Sequence, residues 1–127
     1  METRRIIVAG SRNYNDYRHI SSVLSNYVRY CTDNGINPEF VSGGCRGVDT
    51  LAERFCKLHN YPIKVFNADW ATYGKRAGYL RNKQMAEYAA ETGGSLIAFW
   101  DGKSRGTKMM IELAKNGGLG IHVEEIK

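Results

Sequence analysis

Short apolar runs rich in β-branched and aromatic residues recur at 6–9, 40–41, 63–66, 96–99 and 121–123, and helical patterns fill the intervals between them. A strand, a helix and another strand in succession let the second strand return parallel to the first, with the helix packed on a face of the sheet. The alternation therefore predicts the α/β class: an open sheet of about five mainly parallel strands with helices on both faces, in the order βαβαβαβαβ. The clearest helical stripe is Tyr17, Ile20, Val23, Leu24, Tyr27, Val28 and Cys31, with Asp16 as N-cap and Gly35 as C-terminal stop. Further helices are predicted over 48–59, over 77–92, and after Gly106-Thr107, where Met109, Met110, Leu113 and Ala114 form the apolar set before Gly117-Gly118.

At 127 residues, with no linker, repeat or low-complexity stretch, the chain is expected to form one domain over 1–127. Cys31, Cys45 and Cys56 make no CxxC pair, and His19, His59 and His122 lack metal-ligand spacing, so neither a zinc site nor a disulfide framework is expected. No cofactor is called for. No apolar stretch approaches the roughly 20 residues that span a bilayer, and Met1-Glu2-Thr3-Arg4-Arg5 runs directly into a strand pattern. The sequence reads as cytoplasmic, with no membrane partner. The formal net charge of +5 suits an anionic ligand or nucleic acid and does not choose between them.

In open parallel sheets, ligands bind beyond the carboxyl ends of the strands, where the strand order reverses. The loops at that edge are Gly10-Ser11-Arg12-Asn13-Tyr14, Gly43-Gly44-Cys45-Arg46-Gly47, Asn67-Ala68-Asp69-Trp70 and the stretch 100–107. Gly10, Ser11, Gly43, Gly44, Gly106 and Thr107 place small side chains and backbone amides where a phosphate can approach a helix N-terminus. Arg12 adds a charged fork. Asp49, in the first turn after the double glycine, either caps local amides or accepts from a ribose hydroxyl. Arg81 shares a helical stripe with Gly78, Met85, Tyr88 and Ala89, so it faces the sheet or turns into the ligand crevice. Asn82 lies beside it. Trp70 and Trp100 offer flat surfaces for a base.

Two signals mislead. Gly102-Lys103-Ser104 looks like the end of a P-loop, but Ile97 stands where the first glycine belongs. The spacing of Gly43, Gly44 and Gly47 is not GxGxxG, which disfavours an ordinary dinucleotide dehydrogenase. Cys45 sits among helix N-terminal amides next to Arg46, as a loop-filling side chain or as a nucleophile without a recognisable base.

Four ordered motifs carry a family resemblance: Val8-Ala9-Gly10-Ser11-Arg12, the stretch 43–52 from Gly43-Gly44-Cys45-Arg46-Gly47 through Leu51-Ala52, the stretch 70–82 from Trp70 to Arg81-Asn82, and Ser104-Arg105-Gly106-Thr107. Together they resemble the YspA/YpsA-related branch of the SLOG superfamily of Rossmann-like proteins, found in bacteria and their phages. The resemblance implies a three-layer Rossmann-like fold, homo-oligomers, and a crevice for nucleotide-derived ligands such as NAD- or ADP-ribose-like molecules or nucleoside phosphates. Relatives in other branches cleave nucleoside monophosphates at the N-glycosidic bond, or load single-stranded DNA. The hydrolase branch carries GGxGTxxE, and in Gly106-Thr107-Lys108-Met109-Met110 its glutamate position is Met110. A catalytic carboxylate would then have to be Asp49, Asp101 or Glu112. Asp101 also lies where it can touch the ligand. The leading expectation is a binder or sensor of a nucleotide-derived ligand. An N-glycosidic hydrolase is the alternative, and single-stranded DNA binding, motivated by the charge and eight tyrosines, ranks third.

Overall fold

The computed structural model describes residues 2–127. Eleven elements follow one another: β1 (Glu2–Gly10), α1 (Tyr17–Asp33), β2 (Ile36–Ser42), α2 (Val48–His59), β3 (Ile63–Val65), α3 (Trp70–Tyr73), a 3-10 turn (Gly74–Arg76), α4 (Ala77–Ala90), β4 (Ser95–Trp100), α5 (Arg105–Asn116) and β5 (Gly120–Glu125). All strand pairs are parallel, in the order β3-β2-β1-β4-β5. The chain builds outward from β1 through β2 to β3, then crosses to lay β4 and β5 on the other side. The reversal falls between β1 and β4, where Ile6 pairs with Ser95 and Gly10 with Phe99.

Period-two alternation sends neighbouring side chains of β1 to opposite faces. Ile6 and Val8 join Ile20 and Leu24 of α1 and Val48, Ala52 and Phe55 of α2. Ile7, between them, joins Met85 and Ala89 of α4 and Met110 and Ala114 of α5. The three-layer Rossmann-like architecture follows from those two cores.

Asp16 caps α1 by accepting from the His19 amide (3.1 Å). Three local features differ from the sequence expectation. The loop after β3 contains α3, where Asp69 accepts from the Thr72 amide (3.1 Å), and the following 3-10 turn. β2 is longer than its apolar run and includes Pro38, which lies before the stretch where β3 pairs with β2 and so leaves no ladder bond on that side unmade. α5 begins at Arg105, so Gly106 and Thr107 belong to its first turn and not to the loop before it. No helix among the described residues is long and apolar enough to cross a membrane.

Candidate functional site

A cavity of about 450 Å³ opens at the carboxyl ends of β1 and β4, at the strand-order reversal. Its walls come from the end of β1 and the loop after it (Gly10, Ser11, Arg12 and Asn13), the turn into α2 and its first turn (Cys45, Arg46 and Asp49), α4 (Arg81, Asn82 and Met85), the loop after β4 (Asp101, Lys103 and Ser104) and α5 (Gly106, Thr107 and Met110), with Ala9 beneath. Four segments remote in sequence meet there because each follows a strand or begins a helix at the same sheet edge.

The deepest cation is Arg81, only 8% exposed. Its Nη1 donates to the Gly43 carbonyl (2.5 Å) and its Nε to Asn82 Oδ1 (2.8 Å), both neutral acceptors. No carboxylate among the described residues lies within 4 Å of it. Buried charges are ordinarily paired. Gly43 is glycine for a steric reason: a Cβ there would stand 2.9 Å from Arg81 Nη1 and 3.1 Å from Asp49 Oδ2. Gly43 and Gly44 thus lie behind the cavity wall rather than in it, holding Arg81 from one side and, through Gly44, abutting Asn67 of the loop after β3.

Asp49 is buried and accepts from the Cys45 amide (3.1 Å), with the Gly43 amide close enough to favour its charged form. Burial pushes its carboxyl up to about 6, against the lowering effect of those amides and of Arg81. Of the two roles foreseen for Asp49, it performs the capping one, while its position on the cavity wall leaves it beside any occupant. Gly47, with φ +80°, lets α2 start against the first loop: a Cβ would meet the Arg12 carbonyl carbon at 2.6 Å, and the Val48 amide bonds to the Ser11 carbonyl (3.1 Å).

Across the cavity, Asp101 accepts from the amides of Lys103 and Ser104 (2.8 Å each), and these bonds hold its carboxyl below the usual range. Ser104 is the N-cap of α5 but makes no side-chain cap bond, so the amides of α5's first turn remain open toward Gly106 and Thr107. Open first-turn amides carry the positive end of the helix dipole and receive anions. Arg12, Arg46 and Lys103 line the same cavity, with Arg46 reaching Asn13 Oδ1 (3.3 Å).

Of the residues expected from sequence, Gly10, Ser11, Arg12, Asp49, Arg81, Asn82, Asp101, Gly106 and Thr107 converge on the cavity wall. Trp70, Trp100 and Glu112 do not. Trp100 packs on the α4/α5 core and donates its indole N–H to the Ser104 carbonyl (3.1 Å), bracing the loop from behind. Trp70 lies half exposed over Gly78, and Glu112 is exposed on α5. Met110, 1% exposed, occupies the wall where the hydrolase branch has its glutamate. Asn13, Arg46, Lys103 and Ser104 also line the cavity without being among the residues expected from sequence, and their position at the reversal edge is the signal that points to them. No group of three or more His, Cys, Asp or Glu side chains among the described residues is arranged to hold a metal ion.

A larger cavity, about 630 Å³, lies between α1 and the β4–β5 part of the sheet, where Val23, Leu96, Ile97 and Ile121 line it together with the polar His19, Asn26, His122 and Glu124. It has neither open helix amides nor a buried cation.

The family model described as the YspA, cpYpsA-related SLOG family matches residues 4–73, from β1 through α3. The chain belongs to that family. A relative by sequence is the Gene 61 protein of Mycobacterium phage D29, 29% identical over 123 residues that cover 93% of this chain and 94% of the relative. A solved structure described as a predicted subunit of tRNA methyltransferase from Methanocaldococcus jannaschii DSM is 16% identical with a TM-score of 0.43, covering 99% of this chain and 68% of the other. SLOG membership points to binding or processing of nucleotide-related molecules.

Proposed function

We propose that this SLOG protein binds a nucleotide-derived small molecule, an NAD- or ADP-ribose-like ligand or a nucleoside phosphate, in the β1/β4 crevice. Arg81 carries the reading: a buried guanidinium bonded only to neutral acceptors, with the Asp49 carboxyl near it but outside ion-pair distance, opens onto a cavity beside free helix amides and is completed by an anion. The first-turn amides of α5 take one face of a phosphate group, with Arg12, Arg46 and Lys103 around it. Asp49 and Asn82 stand where a ribose hydroxyl can donate or accept. The test is thermal unfolding with AMP, NAD, ADP-ribose and cyclic nucleotides. A ligand at 100 times its dissociation constant adds about 2.7 kcal/mol, raising the midpoint on the order of 10 °C. No shift with any of them overturns the proposal.

A second reading rests on Asp49. A buried carboxyl pushed up to about 6 can hold a proton near neutrality and act as a general acid toward a leaving base. It is the better candidate for N-glycosidic hydrolysis, because Asp101 is tied to two amides and Glu112 stays outside the cavity. Chromatography of nucleotide incubated with the protein decides it. Released base that disappears in Asp49→Asn establishes hydrolysis, and unchanged nucleotide leaves the binder.

A further inference from the structure

Cys45 is the thiol that the crevice presents. It lines the cavity wall and is partly exposed, whereas Cys31 and Cys56 are fully buried. Burial pushes both buried thiols up, that of Cys56 to about 12, which leaves them poor nucleophiles. Cys45 Sγ stands 3.7 Å from Arg81 Nη1 and 4.0 Å from the Gly43 carbonyl to which that nitrogen donates. Its backbone is held at both ends: the amide donates to Asp49 (3.1 Å), and the carbonyl accepts from the Thr50 hydroxyl (3.0 Å). The sulfur is therefore fixed beside a guanidinium that is more than nine-tenths buried. Neutral acceptors take Nε and Nη1 of that group, whereas Nη2 bonds to no described residue, and Arg81 forms part of the cavity wall.

A thiol offers Arg81 only a weak acceptor. An oxygen added to the same sulfur offers a strong one and, on ionisation, the negative charge that no described carboxylate brings within ion-pair distance of Arg81. The reaction is a two-electron oxidation by hydrogen peroxide. The thiol gives its proton to solvent, and the thiolate attacks one peroxide oxygen. An S–O bond forms, the O–O bond breaks, and the hydroxide that leaves takes up a proton as water. The sulfenic acid then loses its own proton to solvent, which the neighbouring guanidinium favours. Neither buried cysteine traps the product, because Cys56 lies two turns into α2 and Cys31 near the far end of α1, beyond disulfide reach. The sulfenate therefore persists until a small thiol reduces it.

We propose that Cys45 is a redox-modification site, oxidised by peroxide to a sulfenate that takes the anion position beside Arg81 and closes the crevice to an anionic ligand. Its effect on ligands rests on the crevice reading, whereas the modification and its dependence on Arg81 do not. The full chain is treated with hydrogen peroxide, the sulfenate is captured with a 1,3-diketone, and the adduct is located by mass spectrometry. Cys45 should carry it, and Cys31 and Cys56 should not while the chain stays folded. Arg81→Met should slow adduct formation about tenfold, and Arg81→Lys, which keeps the cation, should restore most of it. A thiol that is merely exposed would be captured equally in all three. In a second arm, the rise in unfolding midpoint given by AMP, NAD or ADP-ribose should disappear after peroxide and return with dithiothreitol. Cys45→Ser should show the same rise before and after peroxide. Oxidation of Met85 or Met110, which also line the crevice, would instead reach Cys45→Ser and resist dithiothreitol. The proposal is overturned by no adduct at Cys45, by capture that ignores Arg81, or by an oxidised chain that keeps its nucleotide shift. No shift in the reduced chain would overturn the crevice reading alone, and the adduct would still decide this one.

Discussion

At Arg81 and Asp49, two buried ionisable groups face each other across Gly43 without forming an ion pair. Arg81→Met removes the buried cation while keeping an apolar stem of similar reach. Nucleotide affinity should fall roughly ten- to hundredfold, the value of a charge-assisted bond, and the unfolding midpoint should move little because the lost Gly43 bond is offset by removing a buried charge. Calorimetric titration beside thermal unfolding separates the two. Asp49 titrates in the opposite sense from a salt-bridged carboxylate. Its folded value of about 6 exceeds the ordinary 3.8, so the folded chain holds the proton more tightly than the unfolded chain does. Its contribution is most favourable below about pH 4 and is lost as pH rises through 6, a change of about 3 kcal/mol. Denaturant unfolding from pH 4 to 7 should show that decline, and Asp49→Asn should flatten it. The same charge opposes an anion, so affinity for NAD, whose phosphates do not titrate there, should fall as pH rises through 6 in the wild type and not in Asp49→Asn.

At the scale of elements, the start of α2 is held against the β1 loop by one glycine. Gly47→Ala meets both a positive φ and a Cβ 2.6 Å from the Arg12 carbonyl carbon, so it should destabilise by about 2–4 kcal/mol and disturb the crevice, read as a lower midpoint and lost nucleotide binding. Asp16→Ala, at the other end of the molecule's capping, should cost about 1 kcal/mol and leave binding unchanged. These elements were legible in the chain to different degrees. The five strands and four long helices follow from local periodicity, which is written along the backbone. The order β3-β2-β1-β4-β5 is not, because pairing between strands is non-local. Arg81 stood out because a charge on a buried helical stripe is rare, whereas Arg46, Lys103 and Asn13 are polar residues in polar loops and carry no pattern. In the sequence Trp70 and Trp100 look like base platforms for a related reason: an aromatic in a loop reads the same whether it faces a cavity, braces a neighbour or meets solvent. The start of α5 is hidden because Gly106 reads as a loop residue, although glycine is tolerated at a helix start.

Across the whole molecule, the parallel sheet gathers its positive features at one edge. Helix N-termini, four basic side chains and the β1/β4 reversal coincide at the crevice, and the net charge of +5 adds a general attraction for anions. Nucleotide binding should therefore weaken with salt, but only modestly, because a small ligand engages few phosphates. The account depends most on the claim that a nucleotide phosphate completes the buried Arg81 site. Thermal unfolding of the wild type and Arg81→Met, each with and without saturating ADP-ribose, AMP or NAD, tests it directly. The account predicts a midpoint rise on the order of 10 °C for at least one ligand in the wild type and a much smaller one in Arg81→Met. No rise in the wild type, or an equal rise in both, would contradict it.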